Sequence, residues 1–136
     1  MEYIVGISLA LLFCAAAAGL GMDRERVFYP AVLIAVASYY LAFAAADGRS
    51  EVMLSEVAIA AVFVAGAVAG LKGNPWVAVV ALAGHGVMDG FHHRLVHNVG
   101  VPQVWPGFCM SFDVTAAAFV ALVMLARARG GREQQG

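Results

Sequence analysis

Five side chains that could bind a metal ion or transfer protons crowd one end of a single apolar segment. They are His85, Asp89, His92, His93 and His97. A further carboxylate, Asp113, follows inside the next apolar segment. Ionisable groups in or beside a membrane-spanning segment are costly to place there, so each is by default a functional-site candidate. We therefore expect the function of this protein to reside at these residues.

Their types and spacing are typical of metal sites in helical bundles, where a carboxylate from a neighbouring helix completes the ligand set. On a helix, His85, Asp89 and His92 share one face, and His93 lies at its edge. His85 and His92 are about 10 Å apart along the helix axis, which is too far for both to bind one ion. We therefore predict one ion held by Asp89, by His92 or His93, and by Asp113. His85 is then predicted as a general base, as a ligand of a second ion or as a hydrogen-bond partner of a ligand.

Nitrogen and oxygen ligands favour zinc, with iron or manganese as alternatives, while Cys109 keeps copper in consideration. Cys109 lies four residues before Asp113 and shares its helix face. The residues expected to line the cavity or support the ligands are Glu56, Cys109, Tyr39 and Tyr40. His97 is interpreted as a headgroup residue at the helix end. A His85 and Asp89 pair that only joins helices is the alternative to a metal site.

The composition defines the class of protein. Of 136 residues, 62% are hydrophobic and 12% are charged, whereas a soluble domain carries roughly 25% charged residues. The sequence therefore predicts an integral membrane protein. A formal net charge of −1 gives no reason to expect a nucleic-acid partner. The expected partners are the lipid bilayer and a lipid or small-molecule substrate, with a homo-oligomer left open.

Short polar stretches separate five apolar segments, each of the length that a helix needs to cross a bilayer of about 30 Å. Their approximate ranges are 3–21, 27–46, 52–71, 75–97 and 107–126. The fold class predicted is an all-α membrane bundle of about five transmembrane helices, with one domain at 1–126 and a polar cytoplasmic tail at 127–136. Because the chain opens with Met1, Glu2 and Tyr3 and lacks early positive charge, we expect the first segment to be a retained helix rather than a signal peptide.

Glycines with G-x3-G spacing occur in the third and fourth segments, at Gly66 and Gly70 and at Gly86 and Gly90. This spacing lets helix backbones approach closely in lipid. In a chain so rich in Ala and Gly the pattern also arises by chance. The sequence predicts tight packing without determining which helices pair.

The distribution of basic residues predicts the orientation, because cytoplasmic loops carry the excess of Lys and Arg. One side holds Arg24, Arg26, Lys72, Arg127, Arg129 and Arg132, and the other holds Arg49 and Arg94. The carboxy terminus is therefore expected in the cytoplasm and the amino terminus outside. Folding the last two helices antiparallel about residues 99–105 brings Asp113 level with the turn between Asp89 and His92. The polar residues then fall in the outer half of the membrane, which predicts a polar cavity near the outer surface.

The motif His85-x3-Asp89-x2-His92-His93, followed by Cys109-x3-Asp113, resembles the carboxy-terminal signature of an uncharacterised family of small bacterial multi-spanning membrane proteins. The resemblance covers about 30 residues and implies a bacterial inner-membrane location and a shared site, but no reaction. That family often has Trp before the first Asp and Cys before the second, where this chain has Met88 and Phe112. A looser similarity, in the placement of His and Asp on neighbouring membrane helices, exists to intramembrane hydrolases of the alkaline ceramidase type.

Three functions compete on the sequence alone. The first is a metal-dependent hydrolase that acts on a lipid or amphipathic substrate, in which His85 serves as the base. The second is a non-catalytic metal-binding, haem-binding or proton-handling protein, although no ionisable residue marks the inner half of the helices as a permeation path. The third is an accessory subunit of a membrane complex, in which the polar cluster is structural.

Overall fold

Five α-helices account for most of the chain in the computed structural model, which describes residues 1–133. The helices are α1 (Glu2–Gly19), α2 (Phe28–Asp47), α3 (Ser50–Lys72), α4 (Pro75–Leu95) and α5 (Trp105–Glu133), with a short 3-10 turn at Met22–Arg24. Residues 1–133 contain no β-strand. The predicted all-helical architecture is therefore confirmed.

Four helices within the described part of the chain are long and apolar enough to cross a membrane. They are α1, α2, α3 and the Trp105–Gly131 part of α5. The fourth helix, α4, has 21 residues, but its second half carries the His and Asp residues of the motif. It packs against α2, α3 and α5, so the protein rather than lipid surrounds its polar face.

The helix α5 continues beyond the segment predicted from hydropathy. That segment ended near residue 126, whereas the helix extends to Glu133. The predicted polar tail therefore begins within a helix. Residues 134–136 of that tail, and the side chain of Arg132 that contributed to the predicted orientation, lie outside the described residues.

Local chemistry explains where the helices around the site begin and end. The Asn74 side chain accepts a hydrogen bond from Trp76 N at 3.0 Å, and Pro75 occupies the first turn of α4, an arrangement typical of helix N-termini. Gly48 ends α2 with φ of 82°, a left-handed conformation that suits glycine because it has no Cβ. The turn into α3 is consequently short.

Glycines let the helices approach closely, and the structure identifies which helices pair. A Cβ on Gly66 would lie 2.9 Å from Ala81 Cβ, and one on Gly70 would lie 2.5 Å from Ala78 Cβ, so the first G-x3-G pair is the contact of α3 with α4. Gly86 and Gly90 face α5 in the same way. Gly6 performs this role between α1 and α5, where a Cβ would lie 2.6 Å from the carbonyl oxygen of Phe108.

The contact at Gly6 generates a test of this packing. Replacing Gly6 with Ala forces α1 away from backbone atoms of α5, and overpacking of this kind costs about 1–3 kcal/mol. Gly84→Ala is the matched control, because Gly84 is also helical but has nothing within 4 Å of an added Cβ. Both variants gain the same helix propensity. Thermal unfolding in detergent should show Gly6→Ala clearly less stable than Gly84→Ala, and equal stabilities would contradict the packing.

Candidate metal centre

The buried face of α4 changes from apolar to polar halfway along the helix. Ala78 and Leu82 are buried in its first half, and His85, Asp89 and His92 continue the same stripe in its second half. These positions recur every three or four residues, which places them on one side of a helix. The sequence pattern therefore directs three reactive side chains into the bundle.

Two of these side chains meet a carboxylate from α5 in a group that we call the buried triad: His85, Asp89 and Asp113. His85 Nδ1 lies 2.6 Å from Asp113 Oδ2 and 3.4 Å from Asp89 Oδ2. One potential ligand atom from each residue lies within 4.8 Å of the other two. The triad is therefore a compact group of one imidazole and two carboxylates.

The triad is shielded from solvent. Asp89 and Asp113 are 0% exposed and His85 is 1% exposed. Both Asp89 carboxylate oxygens and Oδ1 of Asp113 lack a hydrogen-bond partner among the described residues. Because buried polar groups are almost always satisfied, such unpaired oxygens call for a specific explanation.

A glycine allows Asp113 to reach this position. An added Cβ on Gly86 would lie 3.0 Å from Asp113 Cβ and 3.0 Å from the carbonyl oxygen of Met110. The α5 backbone consequently passes directly beside His85. The triad lies one turn deeper than the sequence suggested, because Asp113 is level with His85 and Asp89 rather than with the turn between Asp89 and His92.

A second polar group lies nearer the end of α4, where His92 turns to Glu56 of α3. His92 Nε2 is 2.9 Å from Glu56 Oε1, and the Asn98 amide donates to the same oxygen at 2.9 Å. Glu56 and His92 are 1% and 2% exposed. The sequence placed His92 among the metal ligands and Glu56 in the cavity wall, whereas the structure pairs them with each other.

Tyr40 of α2 lies between the two groups. Its ring stacks on His92 with centroids 4.0 Å apart, and it is tilted against His85 at 6.2 Å. The hydroxyl is buried without a hydrogen-bond partner in the described structure. Tyr40 thus separates the Glu56–His92 pair from the buried triad with a single aromatic layer.

The linker between α4 and α5 is hydrogen-bonded to the turn between α2 and α3. Asp47 Oδ2 accepts from Val99 N at 2.8 Å, and the Arg49 guanidinium donates to the His97 carbonyl oxygen at 2.6 Å. The Asp47 carboxylate, which is hydrogen-bonded to that guanidinium, raises the pKa of Arg49 above its ordinary value. These bonds fix Asn98, which sequence reasoning missed because an amide in a loop carries no distinctive spacing.

A cleft of about 470 Å³ reaches His92 from the linker side. His92, His93, His97 and Asn98 are among the residues that line it. His85, Asp89 and Asp113 do not line it, so the cleft stops one layer short of the triad. A cleft therefore exists near the helix ends, but the triad lies beneath it, and none of the predicted lining residues Glu56, Cys109, Tyr39 and Tyr40 lines it.

The remaining predicted site residues fall outside the triad. His93 and His97 are exposed, and His93 lies on the outer side of α4. Tyr39 is 48% exposed and packs edge-on against Trp105. Cys109 is buried one turn before Asp113, and both cysteines of the chain are free thiols. Of the two neighbouring tyrosines, only Tyr40 points toward the polar groups.

Comparison with known proteins provides no relative for this arrangement. No family model matches the chain, and neither a curated protein nor a solved structure matches it. The resemblance to an uncharacterised bacterial membrane family therefore remains a prediction.

The Glu56–His92 pair provides a test of the site geometry. Replacing Glu56 with Ala leaves His92 and Asn98 without their shared acceptor, and an unsatisfied buried group costs about 1–3 kcal/mol. Glu56→Gln keeps an acceptor oxygen and should be less damaging. Glu51→Ala, at an exposed position of the same helix, is the control. Thermal unfolding should rank the stabilities as Glu51→Ala, Glu56→Gln and Glu56→Ala in descending order, and a neutral Glu56→Ala would contradict the pairing.

Proposed function

We propose that this is a membrane protein that binds a divalent cation through His85, Asp89 and Asp113. The observation that carries the proposal is the burial of two carboxylates beside one imidazole, with three of their four oxygens lacking a hydrogen bond from the described residues. Buried charges in proteins are paired or coordinate metals. Among the described residues, His85 is the basic side chain within ion-pairing distance of either aspartate.

The separations within the triad suit a small ion. Two ligand atoms bound tetrahedrally to zinc lie about 3.3 Å apart, given bonds of about 2.0 Å. The triad offers atoms within 4.8 Å of one another, so small side-chain rotations would close them around one ion. His85 Nδ1 faces both carboxylates, at 2.6 Å from Asp113 Oδ2 and 3.4 Å from Asp89 Oδ2, so coordination of one ion by all three residues would replace the hydrogen bond between His85 and Asp113.

The donor set favours zinc, iron or manganese. It consists of one nitrogen and carboxylate oxygens, which suit these ions. The case for copper rested on the sulfur of Cys109, which lies outside the group of three. We therefore propose zinc as the first ion to test and the other two as competitors.

Hydrolysis of a lipid or amphipathic substrate is the finer form of the proposal. A divalent ion supplies Lewis acidity toward a carbonyl or phosphoryl oxygen when three protein ligands leave a coordination position free. His85 belongs to the proposed ligand set, so it is poorly placed to act as a separate base. His92 borders the cleft and its ring is held by Glu56, but the Tyr40 ring lies between it and the triad, so His92 could take that role only if Tyr40 moves.

The proposed setting is a bacterial inner membrane, with the amino terminus and the linker between α4 and α5 outside. The excess of Lys and Arg at the opposite end supports this orientation. The cleft beside His92 opens on that side, and the Tyr40 ring would have to move for an ion to pass from it to the triad.

The proposal predicts one metal ion per chain. The experiment is elemental analysis and zinc titration of detergent-purified protein, with Asp89→Asn and Asp113→Asn as test variants. Each replaces a carboxylate with a neutral group of similar shape. Loss of a residue that only hydrogen-bonds to a ligand lowers metal affinity by about 10- to 100-fold. Loss of a ligand itself should therefore lower zinc affinity at least about 100-fold. Thermal unfolding of each variant without metal shows whether the fold is retained.

His93→Ala is the matched control, since His93 is adjacent in sequence but exposed. It should bind zinc as the wild type does. A folded wild type that binds no divalent ion would overturn the proposal. Equal loss of zinc in His93→Ala and Asp89→Asn would move the site to the surface of α4.

A further inference from the structure

A second cleft lies at the opposite end of the bundle from the buried triad. Its volume is about 400 Å³. It is formed where α2 and α4 begin and where α3 ends, against the carboxy-terminal half of α5. Neither the triad nor the Glu56–His92 pair contributes to its lining, so it requires a separate explanation.

Three arginines line this cleft, and they differ in what they already bind. Arg127 donates to Asp23 Oδ2 at 2.6 Å, and Arg26 donates to the carbonyl oxygen of Gly73. Arg24 is exposed, and its guanidinium makes no hydrogen bond or ion pair within residues 1–133. Because Glu25 and Asp23 also line the cleft, its formal charge is +1, which favours an anionic ligand.

The deeper walls of the cleft are apolar. They are formed by Pro30, Val79, Val120, Val123 and Met124. The arginines lie at the ends of the membrane-spanning helices, which is the depth of lipid headgroups, while these walls continue toward the hydrocarbon region. Basic pockets between transmembrane helices typically bind anionic lipid headgroups. A ligand with an anionic head and an apolar chain therefore fits both parts of the cleft.

Asp23 supplies a further element of recognition. It is buried, and its Oδ1 has no hydrogen-bond partner among the residues described, although Oδ2 is held by Arg127. An unpaired buried acceptor that lines a cleft suits a ligand with a hydrogen-bond donor. A headgroup hydroxyl provides that donor without adding charge.

We propose that this cleft binds an anionic glycerophospholipid of the phosphatidylglycerol type. The phosphate lies beside Arg24 and Arg127, a headgroup hydroxyl donates to Asp23, and one acyl chain follows the apolar wall. This inference is independent of the metal proposal, because the two sites share no residue.

The test uses the full chain purified in a neutral detergent, with phosphatidylglycerol and phosphatidylcholine of identical acyl chains as probes. Native mass spectrometry and thermal unfolding are measured for each lipid. Phosphatidylglycerol should be retained and should raise the unfolding temperature more than phosphatidylcholine. Arg24→Gln should reduce that preference at least 3-fold without changing stability in lipid-free detergent, since the Arg24 guanidinium makes no hydrogen bond or ion pair with the described residues.

Arg129→Gln is the matched control. Arg129 is an exposed arginine near the carboxy-terminal end of α5, and it does not line the cleft. It should retain the full preference for phosphatidylglycerol. Inorganic phosphate and glycerol, added without lipid, should not reproduce the stabilisation, and if they did, the ligand would be a soluble phosphate instead. Equal effects of the two lipids, or equal loss in Arg24→Gln and Arg129→Gln, would overturn the proposal.

Discussion

The structure depends on the burial of the Asp89 and Asp113 carboxylates beside one imidazole inside an otherwise apolar bundle. An ionised carboxylate removed from water carries a penalty of several kcal/mol unless it is compensated. Here the compensation comes from His85 and, in our account, from a bound cation. The arrangement also requires close helix packing, because a polar face on α4 is tolerable only if other helices cover it. Gly70 and Gly86 permit that close approach on the two sides of α4.

The two ends of the bundle differ in how their polar groups are arranged. At the linker end, the ion pair of Asp47 with Arg49 holds the chain that presents Asn98 to Glu56, and this sequence of bonds orients His92 beside a cleft. At the other end, Arg127 pairs with Asp23 and lines a cleft with apolar walls. Glu56 and His92 at the first end are buried within the protein, whereas Arg24 and Arg26 at the second end are exposed. Such a division is consistent with chemistry at one end and lipid contact at the other.

Hydropathy and helical periodicity were sufficient to predict the architecture and most of the triad. The five helices follow from the length of the apolar segments, and the stripe of His85, Asp89 and His92 follows from spacing alone. The assignment of His92 could not be predicted in this way, because its partner Glu56 lies on another helix and the rotation of α3 has no signature in the sequence. The register of α5 was one turn off because the linker has the predicted length but lies two residues earlier, at 96–104 rather than 98–106, and helix ends are the least predictable part of a helix. The exposure of His93 could not be predicted either. It is adjacent to the buried His92, and one residue of helical rotation decides between burial and exposure.

The most direct test of the central claim is X-ray absorption spectroscopy at the zinc edge on the zinc-loaded protein. Our account predicts a coordination shell of nitrogen and oxygen at about 2.0 Å, with the outer scattering of a single imidazole, and no sulfur at about 2.3 Å. A shell with two or more imidazoles, or with a sulfur ligand, would contradict the assignment of the ion to His85, Asp89 and Asp113.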